Sequence, residues 1–333
     1  MDNIHIDKLN TVLIVLSLTL AYFLPFELFL FAYAVLGPLH YFTEINWIRD
    51  QKFFVKDRQW IVIISCFAFL ITIPFVLKLP FFTDLGDQSF FRAVKDNSGR
   101  FLNSLFFLVL IMAIALTVVK SKRNRLLIIG LGIVMTFLLH QFPFYHILFG
   151  MLLPTVIHVY LFTILFMWYG YNKNKTNIGL ANIVLMLLVP VLISLLNIDQ
   201  GLYNFSDSIK NIFLESNFHV LNSNIYKILG LSDGSEFFFY EVVDLKVQMF
   251  IAFAYTYHYL NWFSKTTIIG WHKKLTTKRT VLITMLWIVS ISLYFYKYKL
   301  GLSLLLFASL LHVFMELPLN VLTVKHLFKN LKS

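Results

Sequence analysis

The feature that most constrains the fold is the recurrence of apolar runs of about 20 residues along the whole chain. A helix of that length spans the hydrocarbon core of a bilayer. The runs are continuous rather than alternating, which disfavours a transmembrane β-barrel. Only 14% of the 333 residues are charged, whereas soluble domains have about a quarter. The sequence therefore predicts an all-α, polytopic integral membrane bundle that forms a single transmembrane domain over residues 1–333.

We predict about ten transmembrane helices. The first apolar block is too long for one span, and Pro25 divides it into a tight hairpin of two helices. The predicted spans cover approximately residues 10–24, 26–44, 59–78, 101–119, 126–142, 147–170, 178–197, 246–264, 280–297 and 301–324.

The distribution of basic residues predicts the orientation of these spans. Lysine and arginine cluster in the short segments 49–58, 120–125, 173–175, 265–279 and 325–332. Ten spans place all of these segments on one side, which the positive-inside rule identifies as the cytoplasm. We therefore expect a bacterial inner-membrane protein with both termini cytoplasmic. The net charge of +11 then reflects topology, and no nucleic-acid partner is expected.

Residues 198–245 form the longest predicted non-cytoplasmic loop. The stretch "SDSIKNIFLESNFHVL" within it has Ser206 or Asp207 as a candidate N-cap. Its apolar residues favour an amphipathic helix lying at the membrane interface. A plain connecting helix is the simpler alternative, and a lid over a lipid-access site is the more specific one.

A carboxylate inside the last predicted span is the strongest functional signal. Glu316 follows His312 by four residues and precedes Asn320 by four, so the three side chains share one helical face. A charged side chain near the bilayer centre costs a few kcal/mol and is normally paired. The sequence therefore predicts that Glu316 has a polar partner on another helix.

Four histidines on four predicted spans are candidates for that partner and for metal ligands. They are His40, His158, His258 and His312. Imidazole is a common ligand of iron, zinc and copper, and a nearby carboxylate often orients it. We expect Glu44, four residues after His40, and Glu316 to orient these ligands or to complete the coordination shell. The alternative is that each histidine is an interhelical hydrogen-bonding residue.

The residue types around the histidines bear on the metal and the substrate. The single cysteine, Cys66, excludes a thiolate cluster, which favours non-haem Fe(II) and leaves zinc as the alternative. Tyr255, Tyr259, Asn261 and Trp262 flank His258 in the sequence. We expect them to line a substrate pocket, and ordinary packing is the alternative.

The order of the histidine motifs resembles that of the Brp/Blh family of membrane β-carotene 15,15'-dioxygenases. The resemblance rests on "GPLHYFTE" around His40, on His158, on "YTYHYLNW" around His258 and on "LLHVFMELP" around His312. Trp262 stands where the family motif has a second histidine, and the Pro-His and His-Phe-Gly signatures are not reproduced. The resemblance implies iron-dependent oxidation of a long apolar polyene.

Three functional hypotheses follow from these residues. The first is a histidine-ligated membrane metalloenzyme, a non-haem iron oxygenase acting on an apolar lipid or carotenoid-like polyene taken from the membrane. The second is a proton-coupled transporter that uses an intramembrane His/Glu relay. The third is a non-catalytic membrane scaffold. The sequence leaves the oligomeric state open.

Overall fold

The computed structural model describes residues 3–51, 58–97, 99–231, 236–265 and 270–330. Its long helices are Asn3–Phe23 (α1), Pro25–Asp50 (α2), Arg58–Leu77 (α3), Gly99–Val118 (α4), Lys122–Leu139 (α5), Pro143–Asn174 (α6), Asn177–Leu195 (α7), Val242–Ser264 (α8), Thr277–Tyr296 (α9) and Tyr298–Asn330 (α10). Shorter helices are Pro80–Phe82, Thr83–Gly86, Ser89–Asn97, Gln200–Leu202, Asp207–Glu215, His219–Leu229 and Trp271–Lys274.

The all-α membrane fold is confirmed. The described residues contain no strand, and each predicted span coincides with one long helix. Parts of the basic segments 49–58, 265–279 and 325–332 lie outside the described residues. The break at Pro25 is also confirmed, because α1 ends at Phe23 and Pro25 occupies the first turn of α2. The two helices run in opposite directions along α8, since Asn10 and His40 both contact its C-terminal half and Pro25 contacts its N-terminal half.

Eight of these ten helices are long and apolar enough to cross a membrane, and α5 and α8 are the two exceptions. Helix α5 begins with Lys122, Arg123 and Arg125, so its first turn is strongly basic. Helix α8 carries polar residues such as Gln248 and His258, yet most of its side chains are buried inside the protein. Polar groups on such a helix face protein rather than lipid. The count of ten spans stays a prediction.

The chain divides into two compact units, Met1–His40 with Val159–Lys299, and Tyr41–His158 with Leu300–Ser333. We call them the first and the second unit. The boundaries fall within α2 and α6 and near the start of α10. The expectation of a single transmembrane domain stays a prediction.

Hydrogen bonds between helices hold the first unit together. Helix α1 packs against α7 and α8, and α8 packs against the start of α2. The Asn182 side chain donates to the Asp7 carbonyl at 2.8 Å and accepts from the Thr11 hydroxyl at 2.7 Å. Gln248 donates to the Pro25 carbonyl at 3.0 Å. Such bonds inside a membrane protein contribute about 0.6 kcal/mol each on average.

The segment 198–245 also belongs to the first unit, and its helix begins as the sequence predicts. The Ser206 hydroxyl accepts from the Ile209 amide at 3.3 Å and caps the helix Asp207–Glu215. Phe213 of this helix is fully buried, with its ring 4.9 Å from that of Phe26 and 5.5 Å from that of Phe237. Part of the apolar face therefore packs on protein. The interfacial position of the helix and its side of the membrane stay predictions.

The second unit is built around α3, α4 and α5, with part of α6 and most of α10. Helix α4 packs against both α3 and α5. The rings of Phe106 on α4 and Phe314 on α10 meet edge to face at 5.2 Å. Phe314 is fully buried two residues after His312, which anchors the middle of α10 inside this unit.

A topology experiment tests whether α5 and α8 cross the membrane. With Cys66 replaced by serine, single cysteines would be placed at the exposed positions Ser121 and Asn174, which flank α5 and α6. If α5 crosses, an impermeant maleimide labels both positions from the same side. If it does not, they are labelled from opposite sides.

The matching pair for α8 is Gln200→Cys and Thr276→Cys, which flank that helix alone among the long helices. We expect labelling from opposite sides. Labelling of both cysteines from one side would show that α8 does not cross the membrane, and would contradict the ten-span topology.

Candidate metal centre

The first unit contains a buried pair of imidazoles, formed by His40 on α2 and His258 on α8. Their Nε2 atoms lie 3.1 Å apart, and the rings meet edge to face with centroids separated by 4.7 Å. Their exposed fractions are 1% and 7%. Both rings are therefore withdrawn from solvent and present the same nitrogen to each other.

The outer nitrogen of His258 contacts a threonine. The Thr163 hydroxyl on α6 lies 2.9 Å from His258 Nδ1 and 2.9 Å from the Val159 carbonyl oxygen. Thr163 is 2% exposed. Sequence reasoning missed this residue, because threonine in a membrane helix most often bonds the carbonyl four residues earlier and gives no other signal.

The closeness of α2 and α8 at this pair depends on a glycine. A Cβ atom on Gly37, one turn before His40, would lie 3.2 Å from the hydroxyl oxygen of Tyr259. The rings of Tyr259 and Trp262 have their centroids 5.2 Å and 5.6 Å from that of His40. Small residues of this kind let membrane helices approach closely.

The second unit contains another buried pair, formed by His158 on α6 and His312 on α10. Their Nε2 atoms lie 3.2 Å apart, and the ring centroids are separated by 5.1 Å. The exposed fractions are 2% and 5%. The geometry of the first pair is therefore repeated on different helices.

Glu316 is the outer partner of His158. Its Oε2 atom lies 3.2 Å from His158 Nδ1, longer than a charge-assisted hydrogen bond, and both side chains are 2% exposed. Asn320, one turn further along α10, lies beside the Glu316 carboxyl group. The predicted polar partner of Glu316 is thus a histidine, and the stripe of His312, Glu316 and Asn320 faces the interior of this unit.

Glu44 and Tyr41 on α2 complete the surroundings of His312. A carboxylate oxygen of Glu44 lies within 4.8 Å of a His312 ring nitrogen, and the Tyr41 ring stacks on the imidazole at 5.8 Å. Glu44 is 3% exposed. The second unit therefore gathers two imidazoles and two carboxyl groups away from water.

Both helices that supply the first residue of a pair contain π-type turns. These turns run over Ala32–Leu36 in α2 and over Leu148–Phe162 in α6. His40 follows the first segment by one turn, and His158 lies inside the second, four residues after Pro154. Proline removes one backbone donor and crowds the preceding turn, and π-type turns are frequent at functional sites.

The separation of the Nε2 atoms suits metal coordination. Two ligands at right angles around a metal, with bonds of about 2.1 Å, are about 3.0 Å apart, and tetrahedral ligands are about 3.4 Å apart. Both observed separations fall between these values. A hydrogen bond between two neutral imidazoles has a similar length, so distance alone fits either state.

The structure pairs the four predicted ligands two by two, His40 with His258 and His158 with His312. Their convergence on one ion stays a prediction. Among the predicted substrate residues, Tyr259 and Trp262 lie beside His40, and Asn261 is buried. Tyr255 packs against the rings of Phe29 and Tyr33. The substrate-lining role of all four stays a prediction.

Comparison with family models, curated proteins and solved structures returned no match. The resemblance to the Brp/Blh family therefore stays a prediction. The structure itself shows a membrane helical bundle with buried histidine clusters that could bind a metal.

Replacing Gly37 with leucine tests whether the first pair needs the close approach of α2 and α8. The new side chain meets Tyr259, and we expect overpacking to cost about 1–3 kcal/mol. The measurement is the thermal unfolding temperature in detergent. Gly130→Leu on α5 is the matched control, because no other helix of the described residues comes within 4 Å of its Cβ position. Equal unfolding temperatures for the two variants would contradict the expectation.

Proposed function

We propose that this chain is an integral-membrane metalloenzyme in which His40, His158, His258 and His312 ligate one Fe(II) ion. The reaction is the oxidation of a lipid-soluble substrate. The observation that carries the proposal is the presence of two buried pairs of imidazoles. The Nε2 atoms lie 3.1 Å apart in the first pair and 3.2 Å apart in the second. In each pair, one Nδ1 atom also contacts an oxygen.

The cost of burial favours a ligand role for these residues. Ionisable side chains inside a membrane bundle are expensive and commonly mark functional sites. Two imidazole pairs and two carboxylates together exceed what helix packing needs, since amides and hydroxyls serve that purpose elsewhere in the first unit. The carboxylate beside His158 also resembles the usual outer partner of a metal-bound imidazole.

The nitrogen and oxygen atoms that could ligate the metal favour iron, with zinc as the alternative. Imidazole nitrogens and carboxylate oxygens suit iron and zinc, whereas thiolates mark other kinds of site. Cys66 is exposed and belongs to neither pair. When bound, Fe(II) would supply oxygen chemistry at the site. Glu316 would orient His158, and Glu44 would orient His312 or complete the shell.

The proposed substrate is an apolar lipid or a carotenoid-like polyene. Support comes from the setting, because His40, His158 and His312 lie on helices of membrane-spanning character, and His258 lies on a helix whose side chains are mostly buried. Tyr259 and Trp262 beside His40, together with Tyr255 and Asn261, would line its path. Such a pocket would dissolve the substrate and exclude water. The membrane lipids are the direct partners, and we place the protein in a bacterial inner membrane with cytoplasmic termini.

The contact of Glu316 with His158 favours a second candidate, a proton-coupled transporter. An imidazole touching a carboxylate can pass a proton, and chains of such groups mark intramembrane relays. A transporter would carry protons across the membrane of sealed vesicles even when the protein holds no metal. A metalloenzyme needs the metal and does not acidify vesicles. A scaffold, the third reading, does neither.

The first experiment measures metal per chain by elemental mass spectrometry after gentle purification and reconstitution with iron. We expect about one ion per chain, and His40→Ala, His158→Ala, His258→Ala or His312→Ala should each remove it. His272→Ala, at an exposed position, is the matched control. Two ions, each lost with one pair, would replace the shared site by two sites. No metal in well-folded protein would end the metalloenzyme proposal.

The second experiment tests the reaction. Iron-loaded protein in lipid nanodiscs should consume oxygen and bleach a long apolar polyene. His312→Ala should lose both activities by more than the roughly 10- to 100-fold that loss of an outer partner of a ligand costs. Iron-loaded protein that bleaches no polyene and oxidises no other apolar lipid would contradict the oxygenase assignment while leaving the metal site intact.

A further inference from the structure

We infer that Thr163 is a positioning residue that fixes which nitrogen of His258 carries hydrogen, and so presents His258 Nε2 to the metal. This inference rests on the proposed metal site for its functional meaning. The hydrogen position itself is a property of the metal-free protein. It can therefore be tested even if no metal binds.

The Thr163 hydroxyl makes two contacts. Its oxygen lies 2.9 Å from the Val159 carbonyl oxygen and 2.9 Å from His258 Nδ1. All three groups belong to the first unit, and both side chains are buried. Each contact has the length of a good hydrogen bond.

Counting hydrogens assigns the direction of each bond. A hydroxyl carries one hydrogen, and a carbonyl oxygen can only accept. If both contacts are hydrogen bonds, the Thr163 hydrogen goes to Val159 and the hydroxyl oxygen must accept from His258. His258 is then the tautomer with hydrogen on Nδ1 when neutral, and its Nε2 atom carries a lone pair.

The lone pair on His258 Nε2 points towards the position of the proposed metal. His258 Nε2 faces His40 Nε2 at 3.1 Å, and a metal takes the nitrogen that lacks hydrogen. An imidazole already held in this tautomer binds a metal without rearrangement. Outer partners of this kind are commonly worth about 10- to 100-fold in metal affinity.

The second unit has a different group beside the outer imidazole nitrogen. His158 Nδ1 lies 3.2 Å from Glu316 Oε2, so a carboxylate stands where His258 has a hydroxyl. A carboxylate partner raises the basicity of the ligand more than a neutral hydroxyl does.

A purely structural role for Thr163 predicts something different. Bonding to the carbonyl four residues earlier is common for threonine in helices, and this bond could be all that the residue provides. Thr72 on α3 offers the matched control. It is buried, and its hydroxyl donates to the Ala68 carbonyl at 2.8 Å. Thr72→Val removes the same backbone bond with no histidine involved.

The test compares Thr163→Val, Thr163→Ser and Thr72→Val in protein labelled with ¹⁵N-histidine. The ¹⁵N shifts of the metal-free protein distinguish a bare ring nitrogen from one bearing hydrogen, and His258→Gln identifies the signals. We expect hydrogen on Nδ1 of His258 in the wild type, in Thr163→Ser and in Thr72→Val. Thr163→Val should move a large share of it to Nε2.

The same variants are then titrated with iron in detergent. Thr163→Val should bind iron about 10- to 100-fold more weakly, whereas Thr163→Ser and Thr72→Val should stay near the wild-type value. Thr163→Ala provides a second test if the valine variant does not fold. An unchanged tautomer in Thr163→Val, or a shifted tautomer with unchanged iron affinity, would overturn the inference.

Failure of the proposed function gives a different pattern. If wild-type protein binds no metal but Thr163→Val still shifts the His258 hydrogen, the metal proposal fails and the tautomer assignment stands. If metal binds and the tautomer does not depend on Thr163, the metal proposal stands and Thr163 has only a structural role.

Discussion

The structure depends on one constraint, which is that polar groups buried in a membrane bundle must be held by other polar groups. Helix α8 shows the consequence most clearly. It carries Gln248, His258 and Asn261, and all three are buried. Gln248 bonds the backbone of α2 at one end of the helix, and His258 meets His40 further along it. The same rule joins Glu316 to His158 in the second unit.

The two imidazole pairs have the same arrangement of Nε2 atoms but differ in the group that contacts Nδ1. In each pair the two Nε2 atoms face each other, and the Nδ1 atom of one ring lies within 3.2 Å of an oxygen. The first pair uses the neutral hydroxyl of Thr163, and the second uses the carboxylate of Glu316. A neutral partner adds no charge to the membrane interior, whereas a carboxylate needs compensation by a cation or a proton. A bound divalent metal would supply that compensation in the second unit.

Much of the fold could be predicted from the sequence because lipid leaves few alternatives. Long apolar runs predicted the helices, Pro25 predicted the first hairpin, and Ser206 predicted a helix start. The number of spans was harder, since α5 and α8 carry charged or polar residues that hydropathy penalises. Hydropathy averages over a helix, whereas burial of α8 depends on neighbours that are far away in the chain.

The candidate site was predictable only as a set of residue types. Spacing placed His312, Glu316 and Asn320 on one face, and the cost of burial predicted a partner for Glu316. The choice of His158 for Glu316 could not be read from spacing, because the two lie on different helices. Thr163 gave no signal at all, since its sequence neighbourhood is that of any threonine in an apolar helix.

X-ray absorption spectroscopy of the iron-loaded protein tests the central claim most directly, because it counts the imidazole nitrogens bound to the metal. The account predicts a first shell dominated by about four nitrogens, at distances close to the roughly 2.1 Å of zinc–imidazole bonds. Multiple scattering from imidazole rings should be present. A shell of oxygen or sulfur atoms without that signature would show that the buried histidines are not the ligands.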